Sequence, residues 1–260
     1  MPELDFITPN WPAPANVKAL QTTRIGGVSL APYASLNLGA HVNDDAIAVA
    51  KNRQLLSPYL PSEPVWVNQV HGVNVIDAAT SSCLQNADAS FTTKANVVCV
   101  TMTADCLPVL LCDKSGSVVV AVHAGWRGLC DGVIEAAIRK MQVPPTEILA
   151  WLGPAIGPNA FEVANDVREQ FVEKDSQATL AFKPLDNKTA DKWLCNLYLI
   201  AKQRLNKLGV TQIYGASDHE VYDENHSENF CTYTDETRFF SFRRDNVTGR
   251  MASLIWLESI

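Results

Sequence analysis

The chain has no long apolar run. Nothing approaches the roughly 18 residues of a spanning helix, so a membrane protein of the helical type is not expected. It also lacks a basic region followed by a short apolar core at its start. "MPELDFITPNWPAPANVKAL" opens with acids and prolines, which argues against a secretory signal. Basic blocks are missing too, and the net charge is −7. A nucleic-acid partner is therefore not expected, because phosphate backbones are held by clustered Lys and Arg. The 7 cysteines show no paired spacing and their number is odd. Without a secretory signal they read as reduced thiols in a cytoplasmic protein. There is no HExxH, no CxxC, no fixed-period repeat and no low-complexity tract.

What is present suits a folded chain of 260 residues, 47% hydrophobic and 19% charged. That length supports a full core without staples and suits one large domain or two small ones. "TTRIGGVSLAPYASLNLG" reads as a long ordered loop, a feature often tied to function. "NDDAIAVAKNRQLL" predicts a helix capped by Asn43 or Asp44. Two short β-rich runs around Asn68 to Gly72 predict a hairpin-like bend with His71 near its tip. Strands are expected at Val97 to Met102, Val109 to Cys112 and Val118 to Val122, with Pro108 marking the break between the first two. "GLCDGVIEAAIRKM" has helical spacing. "EILAWL" reads as a strand, followed by a helix around Ala164 to Val172. "DKWLCNLYLIAKQRLNKLG" reads as an amphipathic helix from Asp191 to a C-terminal Gly209. "TQIYG", "RFFSF" and "RMASLIWL" read as closing strands, with "SDHEVYDENHSEN" as a polar surface loop. Strands alternate with helices, yet several strand pairs have short connections. The pattern favours a mixed α/β or α+β domain over a purely doubly wound sheet.

Three polar residues interrupt otherwise buried strand ends: His71, Cys106 and His123. Two imidazoles and a thiolate make a three-ligand zinc set with a fourth position for water or substrate. The spacing is long and does not decide the matter, since a buried Cys is commonly a small hydrophobe. The same residues admit another chemistry, with Cys106 as nucleophile, His123 as its base and Asp105 orienting the histidine. The two readings oppose each other, because a metal-bound thiolate is a poor nucleophile. Cys83, Cys99, Cys112, Cys130 and Cys195 lie in apolar or featureless surroundings and read as structural. Arg24, Arg53, Arg127, Arg243, Arg244 and Arg250 are the anion-binding candidates. Arg127 stands out at an expected helix start, where free N–H groups favour anions.

"TRIGGVSLAPYASLNLGAHV", "NQVHG", "TADCLPVLL", "AVHAGWRGLCDGV", "WLGPAIGPNAFEV", "CTYTDETRFFSFRRD" and "TGRMASLIW" together resemble the YfiH family, also called the laccase-domain or polyphenol oxidase family. Some members are described as peptidoglycan editing factors. The resemblance runs from near Pro9 to the C-terminus. It implies a YfiH-like α+β fold, with mixed β-sheets and flanking helices in a layered single catalytic domain over residues 1–260, and a zinc site at His71, Cys106 and His123. It implies phosphorolysis of adenosine, inosine, guanosine and methylthioadenosine to base and (methylthio)ribose 1-phosphate, with adenosine deamination to inosine beside it. Purine nucleosides and phosphate would be the partners. The nucleoside-binding Asn and Arg of the family fall on Asn37 and Arg53, and Arg127 is the further candidate for substrate. A peptidoglycan-precursor amidase using Cys106 and His123 is the implied alternative. Copper could occupy a His2Cys set. A multicopper laccase needs many imidazoles, commonly in His-X-His pairs, and this chain has 5 histidines, none so paired.

Overall fold

The computed structural model describes residues 3–81, 84–185, 191–216 and 230–259. In chain order the elements are β1 (Phe6–Ile7), β2 (Val17–Thr22), α1 (Ala46–Leu56), β3 (Val75–Asp77), β4 (Ala89–Thr92), β5 (Cys99–Thr103), β6 (Leu107–Asp113), β7 (Val119–Ala124), α2 (Trp126–Asp131), α3 (Val133–Met141), β8 (Ile148–Leu152), β9 (Glu162–Ala164), α4 (Asn165–Lys174), β10 (Phe182–Pro184), β11 (Lys192–Cys195), α5 (Leu197–Lys207), β12 (Gln212–Gly215), α6 (Phe242–Asp245) and β13 (Met251–Leu257).

Central strands β6 and β7 read "LPVLLCD" and "VVAVHA", and every residue of both is buried. Such continuous apolar runs belong to strands covered on both faces. They lie inside a six-stranded sheet of order β12-β8-β6-β7-β4-β3. Its central pairs are antiparallel, and its two edges, β12 on β8 and β3 on β4, are parallel. One face packs on the antiparallel sheet β1-β2-β13-β5, through β5 and β13 against β7. The other face carries α3, whose Val133, Ile134, Ala137, Ile138 and Met141 are buried against β7 and β4. Each such side chain contributes about 1.5–3 kcal/mol on burial. A small sheet β10-β11-β9 with α4 completes the layers. The expected α+β class with mixed sheets and flanking helices in one domain is what the chain adopts. No helix among the described residues is long and apolar enough to cross a membrane.

Several local expectations are corrected. α1 is capped by Asp45, whose side chain accepts from Ile47 N at 2.9 Å, one residue past Asp44. Residues 68–72 form no hairpin; the bend is real, but β3 beyond it pairs parallel with β4. Pro108 lies within β6 opposite His123, its carbonyl accepting from Gly153 N at 3.0 Å, so it does not mark the break. The helix expected over 128–141 is two helices, because Gly132 takes φ 100 between them, a conformation a side chain would strain. Lys192–Cys195 is a strand rather than the start of a helix, and Asn196 caps α5 in place of Asp191. "RFFSF" is not a strand: Phe239 and Phe240 are fully buried in a loop and Phe242 opens α6. The polar loop at 217–229 and Cys83 lie outside the described residues.

Candidate metal centre

The order of strands explains why distant residues meet. In the series β6-β7-β4-β3, Cys106 precedes β6, His123 lies near the end of β7, Asp88 precedes β4 and His71 sits in the bend before β3. Neighbours β6 and β7, and β7 and β4, run antiparallel, and β4 and β3 parallel. All four residues therefore emerge at one end of the same sheet.

The Cys106 Sγ lies 3.8 Å from His71 Nε2. The His71 and His123 rings meet edge to face, with centroids 4.8 Å apart. One donor atom from each of the three residues lies within 4.8 Å of the others. His71 is exposed, Cys106 half-buried and His123 buried, so the cluster opens to solvent on the His71 side. A zinc tetrahedron with Zn–S about 2.3 Å and Zn–N about 2.0–2.1 Å has an S-to-N edge of about 3.5 Å. The donor set fits a single metal ion, and the Cys106–His71 separation comes within a few tenths of an ångström of that edge.

Asp88 organises the cluster. Its Oδ1 accepts from His123 Nδ1 at 2.8 Å, which leaves His123 Nε2 facing the cluster. The same carboxylate accepts from the backbone N–H groups of Val70 at 3.3 Å, His71 at 2.9 Å and Gly72 at 2.6 Å. Its backbone carbonyl accepts from His123 N at 2.7 Å. Burial opposes ionisation of Asp88, but the bonds from His123, Gly72 and His71 outweigh it and hold the carboxyl below its ordinary range. Gln69 docks the other side of the bend, its amide bonding both N and O of Met102 at 2.7 Å. The bend is tight enough that His71 takes φ 60. Burial likewise opposes the Cys106 thiolate, yet the neighbouring imidazoles of His123 and His71 bring its pKa down. His123 is raised in turn, the Cys106 and Asp88 charges overcoming its burial.

Gly125 forms the floor. A Cβ there would stand 2.8 Å from His71 Cδ2, 3.0 Å from Cys106 Sγ and 3.4 Å from His123 Cε1. Only glycine leaves room for the three donors at that point. Gly128 has a related role further along α2, where a Cβ would press on the Gly72 carbonyl at 2.8 Å.

The other candidates divide. Asp105 does not orient His123; that role falls to Asp88. Asp105 instead accepts from Thr232 Oγ1 and from Arg243 N, each at 2.6 Å, fastening the C-terminal segment. Asn37 is fully buried. Its Oδ1 accepts from Gly39 N and Arg250 N at 2.9 Å, and its Nδ2 donates to Asp44 Oδ2 at 2.9 Å. Arg53 lies over the Trp66 ring at 3.9 Å and donates to the Leu38 carbonyl. Arg127 is exposed and lies over Trp126 at 4.5 Å. Arg24 and Arg244 donate to backbone carbonyls of neighbouring loops, and Arg243 to Glu162 O. Cys99, Cys112, Cys130 and Cys195 are buried free thiols, as expected. Burial raises the pKa of each, opposite to Cys106.

Two residues near the cluster carry little signal in the sequence. Asp88 stands in "NADAS" with no motif around it; its one signal is a carboxylate entering a short buried strand. His41 stands in a loop with nothing beside it to mark it. It lies within electrostatic reach of Arg250, Arg53 and His123, and partial desolvation with those charges lowers its pKa.

Comparison with known proteins follows the same pattern. The model of a family described as multi-copper polyphenol oxidoreductase laccase matches residues 18–258. A purine nucleoside phosphorylase of Haemophilus influenzae is 53% identical over 257 residues, covering 98% of this chain and 100% of that protein. Purine nucleoside phosphorylase YfiH of Escherichia coli is 50% identical over 255 residues, covering 97% and 98%. Among solved structures, a Neisseria meningitidis protein superposes with a TM-score of 0.88 at 46% identity, covering 98% and 99%. The Bacillus licheniformis hypothetical protein YfiH superposes with 0.81 at 28% identity, covering 93% of each chain.

Proposed function

The chain belongs to the YfiH family of purine-nucleoside-phosphorylase-like enzymes, and from that membership we propose that it is a zinc-dependent purine nucleoside phosphorylase that also deaminates adenosine. The observation that carries this reading is the convergence of His71, Cys106 and His123 on one open metal position in a chain similar, nearly end to end, to purine nucleoside phosphorylases. Inosine, guanosine, adenosine and methylthioadenosine are the proposed nucleosides, and inorganic phosphate is the co-substrate.

In phosphorolysis a phosphate oxygen bonds to C1′ as the C1′–N9 bond breaks. The electron pair leaves with the purine, which gains a proton. In deamination water adds at C6 of adenine and ammonia departs. His71 Nε2, Cys106 Sγ and His123 Nε2 would hold the ion. When bound, zinc supplies Lewis-acid polarisation of a substrate oxygen or water. The chain's own contribution is positional. Asp88 keeps the His123 proton on Nδ1 and closes the bend that presents His71. Arg53 and Arg127 are assigned to nucleoside and phosphate. Asn37 is assigned to the same site through the 37–41 segment that its amide holds.

The test is metal analysis of the purified protein beside incubation with each nucleoside and phosphate, with products separated by chromatography. About one zinc per chain, free purine and ribose 1-phosphate are expected, with inosine formed from adenosine. A zinc-loaded protein that leaves all four nucleosides intact refutes the reading. One copper per chain in place of zinc refutes the metal assignment alone.

A further inference from the structure

We propose that Arg250, with His41 beside it, forms an oxyanion subsite of the metal centre that takes the phosphoryl group of inorganic phosphate or of a sugar phosphate. The proposal rests on the phosphorylase reading and names where its co-substrate sits.

Register places Arg250 at the centre. Met251 of β13 pairs with Thr103 of β5, so Arg250 stands beside the turn that runs from Thr103 to Cys106. Its backbone is stitched to the segment that leads to His41. Arg250 N donates to Asn37 Oδ1 at 2.9 Å, and Leu38 N donates to Arg250 O at 3.1 Å. The stem of the side chain lies against Gly39, where a Cβ would meet Arg250 Cγ at 2.8 Å. Backbone bonds thus fix the position whatever the side chain carries.

The guanidinium is under-answered. Nη1 donates to the Thr248 and Gly249 carbonyls at 3.0 Å, which turns the group without neutralising it. Nε and Nη2 have no acceptor among the described residues. Arg204, Arg238 and Arg244 each pair with a carboxylate, whereas Arg250 makes no ion pair among the described residues. Burial works against its charge, and the acidic groups within electrostatic reach of it are Cys106 and Asp105, with the neutral hydroxyl of Tyr33 beyond them. Asp105 is already bonded to Thr232 and Arg243 N, and the Tyr33 hydroxyl to Val42 O. A divalent ion on Cys106 would take the thiolate charge as well. The half-buried cation, within electrostatic reach of Cys106, then has three N–H bonds unfilled on Nε and Nη2, which suits a multidentate oxyanion. His41 is exposed and held towards the neutral form by desolvation and by Arg250 and Arg53. It offers a ring N–H without adding charge.

The test uses the zinc-loaded protein and the variants Arg250→Gln, Arg250→Lys and His41→Asn. Calorimetry with inorganic phosphate and, separately, with ribose 1-phosphate measures the subsite directly. Loss of a charge-assisted donor pair should weaken phosphate about tenfold or more in Arg250→Gln, with zinc content kept. Arg250→Lys should recover some of that loss, and His41→Asn should show a smaller loss. The KM for phosphate should rise in the same order while the KM for nucleoside stays. Weakening towards both ligands assigns a shared phosphoryl position; weakening towards phosphate alone assigns the attacking phosphate. Wild-type affinity in Arg250→Gln overturns the subsite. If that variant does not fold, unchanged phosphate affinity in His41→Asn overturns it instead. Phosphate binding through Arg250 in a protein that turns over no nucleoside leaves the subsite standing and refutes the phosphorylase reading. Phosphorolysis unaffected in Arg250→Gln does the reverse.

Discussion

At the scale of the residue, Asp88 serves two residues of the centre at once. It fixes the tautomer of His123 and the backbone of His71 with one carboxylate. Asp88→Asn keeps the shape and removes the charge. It should cost about 10–100-fold in zinc affinity, the usual effect of losing such a partner, measured by chelator competition. The carboxyl is held below its ordinary range, so its contribution is complete above that range and is lost as pH falls through the lowered value. Zinc retention should fall with acidification, and the same competition assay across pH reads it. Cys106→Ala should lose metal and nucleoside turnover together; zinc kept with activity gone would favour Cys106 as a nucleophile. Gly125→Ala should fold, because its neighbours are side-chain tips, and lose zinc, because the new methyl occupies the space between the donors. Metal content beside thermal denaturation separates the two effects. His71, Cys106 and His123 are visible in the sequence as polar residues at the ends of apolar runs, and the family resemblance gives them their metal role. Asp88 is not visible there, since a lone carboxylate beside a four-residue strand looks like any surface acid.

At the scale of the element, the loop between β2 and α1 is ordered by one helix side chain. Asn52 is fully buried; its Oδ1 accepts from Val28 N at 2.8 Å and its Nδ2 donates to Ser29 Oγ, Ser35 O and Asn37 O at 2.9, 3.1 and 2.9 Å. Asn52→Leu takes the partner from Val28 N and Asn37 O, while Ser29 Oγ keeps Asp44 and Ser35 O keeps Ser29 N. It should destabilise by about 3 kcal/mol, seen as a lower midpoint in denaturant with the slope unchanged. Apolar runs locate β6, β7, β8 and β13 because their burial is on both faces. Capping and tertiary context defeat the rest. "DKWLC" has the apolar spacing of a helix, yet pairs with β9 and β10 as β11. "RFFSF" has strand composition, yet Phe239 and Phe240 fill core positions from a loop.

At the scale of the whole molecule, a mixed α/β or α+β class is legible from the alternation of elements, and the layering follows only from the family resemblance. The sheet order is not legible, because order depends on which strands pair over long separations. That order makes the site, by bringing four adjacent strand ends into one row. β3 is the outermost of those strands and has only three residues. Its hold on the sheet at that end runs through Asp88 and Gln69 and, with an ion bound, would run through His71 as well. A metal held there would thus be a clasp on a short edge strand, joining it to the sheet's middle across β4. Removing zinc should let that edge open locally while the centre stays shut. Amide hydrogen exchange at Val75–Asp77 should quicken on chelation, with Val119–Val122 unmoved. Equal change in both would mean that the ion stabilises the fold as a whole rather than its margin.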